Sequence, residues 1–212
     1  MRTFHEELRE LQSKVLRLGS MAEEAVGRTI KALRERDVKL ADEVIADDDV
    51  IDELNVKIEE DCITLIARQC PVAKDLRFIA TVLRIILHLE RIGDLALNIA
   101  RIAKQTSGAV RVGRILDIVS DMHMQARKMI RTSLKAFAER NLNLALSLPD
   151  LDEAVDSLNR QLLHELANCR NKEDFDWVLN MVLVSRYLER IADRAVDIGE
   201  QVRYLITGEL IE

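Results

Sequence analysis

Only 2 prolines and 7 glycines stand among 212 residues, and aromatic residues make up 3%. So few helix breakers and strand-favouring rings exclude collagen-like and all-β folds, and an apolar content of 48% excludes a disordered chain. Cysteine is sparse as well. Cys62, Cys70 and Cys169 are an odd set with no Cys-x-x-Cys pair, which excludes a disulfide framework and a thiolate zinc site and leaves buried thiols in a reducing compartment as the expectation. Long hydrophobic runs are missing too. The most apolar stretch, Ile79 to Leu89, is broken by Arg84 and falls far short of the roughly 20 residues a membrane span needs. An N-terminus that turns acidic at Glu6 and Glu7 carries no leader pattern, so the chain is expected in the cytoplasm, at most peripheral to a membrane. There is no glycine-rich phosphate loop, no strand-to-helix nucleophile turn and no His-Glu-x-x-His.

What the chain has in quantity is charge and repetition. Lys plus Arg is 31 against 37 Asp plus Glu, a net charge of -6 that argues against a nucleic-acid backbone as partner and suits cations better. Lys31 to Asn55 aligns without a gap on Lys135 to Asn159, with 10 of 25 positions identical, among them Asp48 with Asp152, Asp52 with Asp156 and Asn55 with Asn159. Leu89 to Ile99 aligns on Leu188 to Ile198 with 7 of 11 identical. The segment Gln105 to Gly113 separates the copies, giving a first unit at 1–106 and a second at 111–212.

Within each unit the apolar residues recur at helical spacing, as in Leu8, Leu11, Val15 and Leu18, and no period-two alternation appears. In the first unit this predicts a long opening helix, a short helical stretch near Val38 to Ile45, a second helix at about 48–69 and a third at 71–104 begun by Pro71. The fold class is therefore all-α, two tandem pseudo-symmetric three-helix bundles.

Four carboxylate pairs spaced i, i+4 repeat across the units: Asp48 with Asp52, Glu90 with Asp94, Asp152 with Asp156, and Glu189 with Asp193. For an isolated pair, a helix cap or a solvated face is explanation enough. Here the pairs persist while neighbours drift, as Asp42 to Leu146 and Glu53 to Ser157 do. Folding the second and third helices back at Pro71 sets Asp48 beside Asp94 and Asp52 beside Glu90, about 28 Å from the turn. A turn between Lys172 and Glu173 does the same for Asp152 with Asp193 and Asp156 with Glu189. Glu90 also interrupts the apolar stripe of Ile79, Leu83, Ile86, Gly93 and Leu97, and a charge there is costly unless paired or bound to a cation. Arg91 and Arg190 offer partial relief, and a hard cation offers more. All-oxygen ligands suit Mg, Mn or Ca, and carboxylates also hold Fe or Zn. A di-iron carboxylate enzyme is the rival, but it wants Glu-x-x-His, and none of His5, His88, His123 or His164 has a Glu three residues before it. His88 and His164 read as packed or surface histidines, and Cys70 as a buried small residue at a helix end.

The run PVAKDLRFIATVLRIILHLERIGDLALNIA, Pro71 to Ala100, resembles the signature block of the PhoU family of phosphate-uptake regulators, with its Pro-x-x-x-Asp-Leu-Arg entry and Glu-Arg-Ile-Gly-Asp core. The DDDVIDELN block and a second Glu-Arg-Ile-x-Asp extend the resemblance over nearly the whole chain. It implies a non-enzymatic regulator that restrains phosphate uptake and phosphate-starvation signalling. The implied partners are the ATPase subunit of a phosphate ABC transporter and a sensor histidine kinase at the cytoplasmic membrane face; a homodimer is expected and nucleic acid is not. The family's E(D)xxxD motif binds multinuclear metal clusters, and it falls on Asp48, Asp52, Glu90, Asp94, Asp152, Asp156, Glu189 and Asp193. The second unit departs from the pattern: Asp176 stands where Arg77 does in the first, and Arg194 stands where the family leads to His. Beside Asp193 that arginine is expected to weaken the second site, with Asp197, opposite Asn98 in the repeat, positioned to restore it. A metal-dependent carboxylate-cluster enzyme and a scaffold whose carboxylates bind nothing are the alternatives.

Overall fold

The structure, a computed structural model, describes residues 3–109, 113–167 and 175–209. Seven helices account for almost all of them: α1 (Phe4–Glu35), α2 (Val38–Gln69), α3 (Ala73–Gln105), α4 (Gly113–Glu139), α5 (Leu142–Leu146), α6 (Leu148–Ala167) and α7 (Phe175–Thr207), with no strand among the described residues. α1 begins with a capping box in which Thr3 accepts from the Glu6 amide and Glu6 reaches back to the Thr3 amide, satisfying two donors that the helix itself cannot. It buries Leu11, Val15, Leu18, Ala22, Val26, Ile30 and Leu33 along one stripe. Arg36 and Arg140, equivalent in the repeat, both turn into the left-handed region as α1 and α4 end.

α1, α2 and α3 pack as one bundle, α4, α6 and α7 as the other, and the two meet along α3 with α7 and α1 with α4. α3 is central. Ile79, Val82, Ile85, Ile86, Leu89 and Ile92 are at most 1% exposed, each contributing roughly 1.5–3 kcal/mol by burial. Arg84 donates to Gln201 and His88 lies 3.3 Å from Asp197, so α3 and α7 run antiparallel. In that register Gly93 passes Ala192, its own repeat equivalent, which places a pseudo-twofold axis between them. The α1–α4 contact carries a matching pair: Glu23 and Arg127, also repeat equivalents, meet at 2.7 Å, with Arg131 on the same carboxylate.

The expected break near Ile45 is absent, since α2 runs unbroken from Val38 to Gln69. The second half does break, at Ser147 between α5 and α6. The cause is Pro149, which occupies the repeat position of Ile45. Without an amide hydrogen, and with its ring against the carbonyl four residues back, Pro149 cannot continue a helix from α5, whereas Ile45 can. Pro71 lies before α3 instead of opening it, because Cys70 adopts φ 45° and Val72 stays extended as the N-cap. Cys70 is exposed, not buried, its left-handed cap conformation turning the side chain away from the core; Cys62 is buried. The expected turn at Lys172 and Glu173, and Cys169, lie outside the described residues.

Candidate metal centre

The continuous α2 changes the meaning of its aspartates. Asp48 and Asp52 lie in mid-helix, so capping does not explain them; the cap is Asp37, which accepts from the Leu40 amide. Asp152 likewise sits a turn beyond the start of α6. Gly93 brings α2 and α3 together here, because a Cβ at that position would lie 3.3 Å from Ile51 Cγ2 and 3.4 Å from Asp48 Oδ1. The acidic pair of α2 thereby faces the acidic pair of α3.

The electrostatics report the same convergence. Burial, and then the charges of Asp52, Asp94 and Asp49, push the Asp48 carboxyl up to about 6, with Arg101 opposing. Asp52 is raised by burial and by Asp94 and Asp49. Glu90 is raised by burial and by Asp94, opposed by Arg91, with Asp52 and Asp48 adding to the rise. In the other half burial and then Asp156, Asp193 and Glu189 push Asp152 up to about 6. Asp193 is raised by burial and Glu189 and lowered by Arg186 and Arg194. The eight carboxylates thus interact through charge as two groups of four, one in each half.

Cationic side chains hold some of these groups. Arg91 donates to Asp94 at 2.8 Å and lies 3.5 Å from Glu90. In the second half Arg186, not Arg190, pairs with Glu189. Asp197 is engaged by His88 and by Arg194 at 2.7 Å, and the His88 hydrogen bond holds its carboxyl below the usual range. It therefore braces α3 against α7, and its charge also raises Asp193. His88 is the packed histidine that its setting suggested.

Among the described residues no three His, Cys, Asp or Glu side chains are disposed to hold a metal ion as their rotamers stand. The donors nevertheless fit a hard cation in kind. Each half offers four carboxylates, of which Asp48, Asp52 and Glu90 in the first and Asp152 and Asp193 in the second are held above the usual range, and three of the buried oxygens without a hydrogen-bond partner are Asp152 Oδ1, Asn55 Oδ1 and Asn159 Oδ1. Asn55 and Asn159 follow Asp52 and Asp156 by three residues, nearly one turn, in equivalent repeat positions. Unpartnered acceptors that recur beside both acidic groups are short of donors or a cation, and a bound cation is what four clustered carboxylates favour. The signal was in the sequence, since Asn55 and Asn159 are among the repeat identities, but an amide draws no notice beside carboxylates.

Fold and site together define a class: an all-α tandem repeat whose two bundles each present a four-carboxylate cluster where the second and third long helices of the unit meet. The family model for the PhoU domain matches residues 15–103 and again 119–202. The chain belongs to the PhoU family. It is 39% identical over 99% of its length, and 96% of the relative's, to the phosphate-specific transport system accessory protein PhoU homolog of Clostridium acetobutylicum. The crystal structure of PhoU from Pseudomonas aeruginosa superposes with a TM-score of 0.91 at 36% identity, covering 98% of this chain and all of that one. The crystal structure of the phosphate transport system regulatory protein PhoU from Streptococcus pneumoniae gives 0.90 at 28% identity, covering 99% and 100%. These relatives are named accessory and regulatory proteins, which agrees with a phosphate-transport accessory role here. No helix of the described residues is long and apolar enough to cross a membrane.

Proposed function

We propose that this chain is a metal-binding adaptor that restrains phosphate uptake and phosphate-starvation signalling at the cytoplasmic face of the membrane. It works by protein contact with the ATPase subunit of a phosphate ABC transporter and with a sensor histidine kinase, as a homodimer and without chemistry of its own. The observation that carries the metal part is the recurrence, in both repeats, of four mutually repelling carboxylates beside an unpartnered Asn oxygen. Asp48, Asp52, Glu90 and Asp94 would hold one site and Asp152, Asp156, Glu189 and Asp193 the other, taking Mn, Mg, Fe or Zn. The ion would supply positive charge that fixes α2 to α3, and α6 to α7, and so stiffens the face offered to a partner. The partner assignment draws on the names of the relatives, which are accessory to a phosphate transport system.

Elemental analysis of protein purified without chelator, wild type beside Glu90→Ala/Asp94→Ala, tests the metal part. Loss of one site's share of the metal in the variant is expected; an equal metal-to-protein ratio in both would refute it. Deletion in a phosphate-replete cell is expected to derepress the phosphate regulon, and continued repression would remove the regulatory reading. Metal-dependent turnover abolished by the same variant would replace the adaptor with an enzyme.

A further inference from the structure

At the crossing of α3 and α7 a cleft of about 390 Å³ opens to solvent, lined by Arg91, Asp94, Leu95, Asn98, Arg190 and Arg194. Three guanidinium groups and one carboxylate share it, an arrangement that costs coulombic energy unless an anion joins them. Their present engagements are unequal. Arg91 is held by Asp94 and Glu90, and Arg194 by Asp197. Arg190 is exposed and makes no hydrogen bond or ion pair among the described residues. Arg91 and Arg190 are repeat equivalents that flank the pseudo-twofold axis, so they reach the cleft from opposite helices. Arg194 occupies the repeat position of Leu95 and is a third charge that the first half does not have.

We infer that this cleft is a binding site for a phosphoryl anion, taken between Arg190, Arg194 and Arg91 with the Asn98 amide as a further donor. The planar fork of arginine matches a phosphoryl group in a bidentate manner, and forks on two helices grip it from two directions. The lining is polar and open, which suits a phosphate or the phosphates of a nucleotide and not an apolar ligand. The site adjoins the first carboxylate cluster but does not depend on that cluster's holding metal. Asp94, shared between the cleft and the first cluster, is the point at which occupancy of one would be felt by the other.

Calorimetric titration of the whole chain with inorganic phosphate, and separately with ATP, tests the inference, each run once with chelator and once with magnesium. Saturable phosphate binding is expected, weakened about tenfold or more in Arg190→Ala by loss of its charge-assisted hydrogen bonds, and in part restored in Arg190→Lys. The exposed Arg160, paired with Glu153 elsewhere on the surface, serves as control, and Arg160→Ala should leave affinity unchanged. Saturation by ATP alone, lost in Arg190→Ala, would keep the phosphoryl site and identify a nucleotide as its source. No saturable binding under any condition, or equal affinity in wild type and Arg190→Ala, would overturn it. Arg190 touches no other described residue through its charge, so the denaturation midpoint of Arg190→Ala should match wild type and separate lost binding from lost folding.

Discussion

His123 should make the protein acid-sensitive in a window that its burial defines. It lies on α4 at the contact with α1, 8% exposed, hydrogen-bonded to the backbone of Val26, with its Nε2 unpartnered. Burial pulls its pKa from 6.5 down to about 4; Arg127 and Arg131 pull in the same direction, while the Val26 bond and Glu23 oppose them. The folded value is depressed, so between about 6.5 and 4 the unfolded chain binds the proton that the native state refuses, and stability falls as pH falls. Each pKa difference of one is worth about 1.36 kcal/mol, so about 2 kcal/mol is lost by roughly pH 5 and about 3 kcal/mol by roughly pH 4. Asp48 and Asp152 act the other way, since their raised carboxyls take up protons in the native state first and stabilise it as pH falls through about 6. A comparison with His123→Leu cancels that opposing contribution. The substitution leaves no orphan at Val26, whose carbonyl still accepts from Thr29 Oγ1. Urea denaturation of both proteins, followed by far-ultraviolet circular dichroism from neutral to acid pH, should show His123→Leu losing about 2 kcal/mol less than wild type by roughly pH 5. Parallel pH profiles would refute the reasoning and mean that the imidazole is protonated in the native state.

Asp48→Asn or Asp152→Asn should stabilise the chelator-treated protein near neutral pH by about 1 kcal/mol, after allowing for solvent screening of groups that are only partly buried. Manganese should then stabilise wild type and not the variants, as read by denaturation midpoints with and without the ion. Gly199→Ala should destabilise by about 1–3 kcal/mol, because its Cβ would lie 2.4 Å from Leu148 Cδ1 and 3.1 Å from the Ala145 carbonyl. Gly108→Ala, whose Cβ would meet nothing within 4 Å, should be nearly silent in the same assay. Glu23→Ala leaves two arginines unpaired at the contact between bundles, where Glu23 is 13% exposed, and should cost about 2 kcal/mol.

The helical periods and the duplication made the fold legible, because an i, i+4 pair repeated at a fixed offset determines both a helix face and an antiparallel register. Two features escaped for local reasons. Pro149 breaks one copy where Ile45 does not break the other, so the break expected after Ile45 occurs in the second copy alone. Cys70 is small and apolar, which suggests burial, yet its left-handed cap conformation is fixed by the turn into Pro71. The eight carboxylates were visible because their i, i+4 pairs recur at equivalent positions of both units, with Glu90 also interrupting an apolar stripe. The His88–Asp197 contact was not, because the α3–α7 crossing joins residues about a hundred positions apart, and no local spacing encodes which of Arg186, Arg190 and Arg194 faces a cluster and which the cleft.

The covalent joining of two repeats about a pseudo-twofold axis has a consequence for tuning. A dimer of single repeats is bound by symmetry to two identical sites, so every substitution is felt twice. In one chain the copies drift independently, and Arg194 for Leu95, Asp197 for Asn98 and Asp176 for Arg77 show that these have. On the proposed metal-binding reading, divergence of this kind would let a single molecule fill one cluster at a low ion concentration and the other only at a higher one, with the shared scaffold unchanged: two thresholds from one duplicated design.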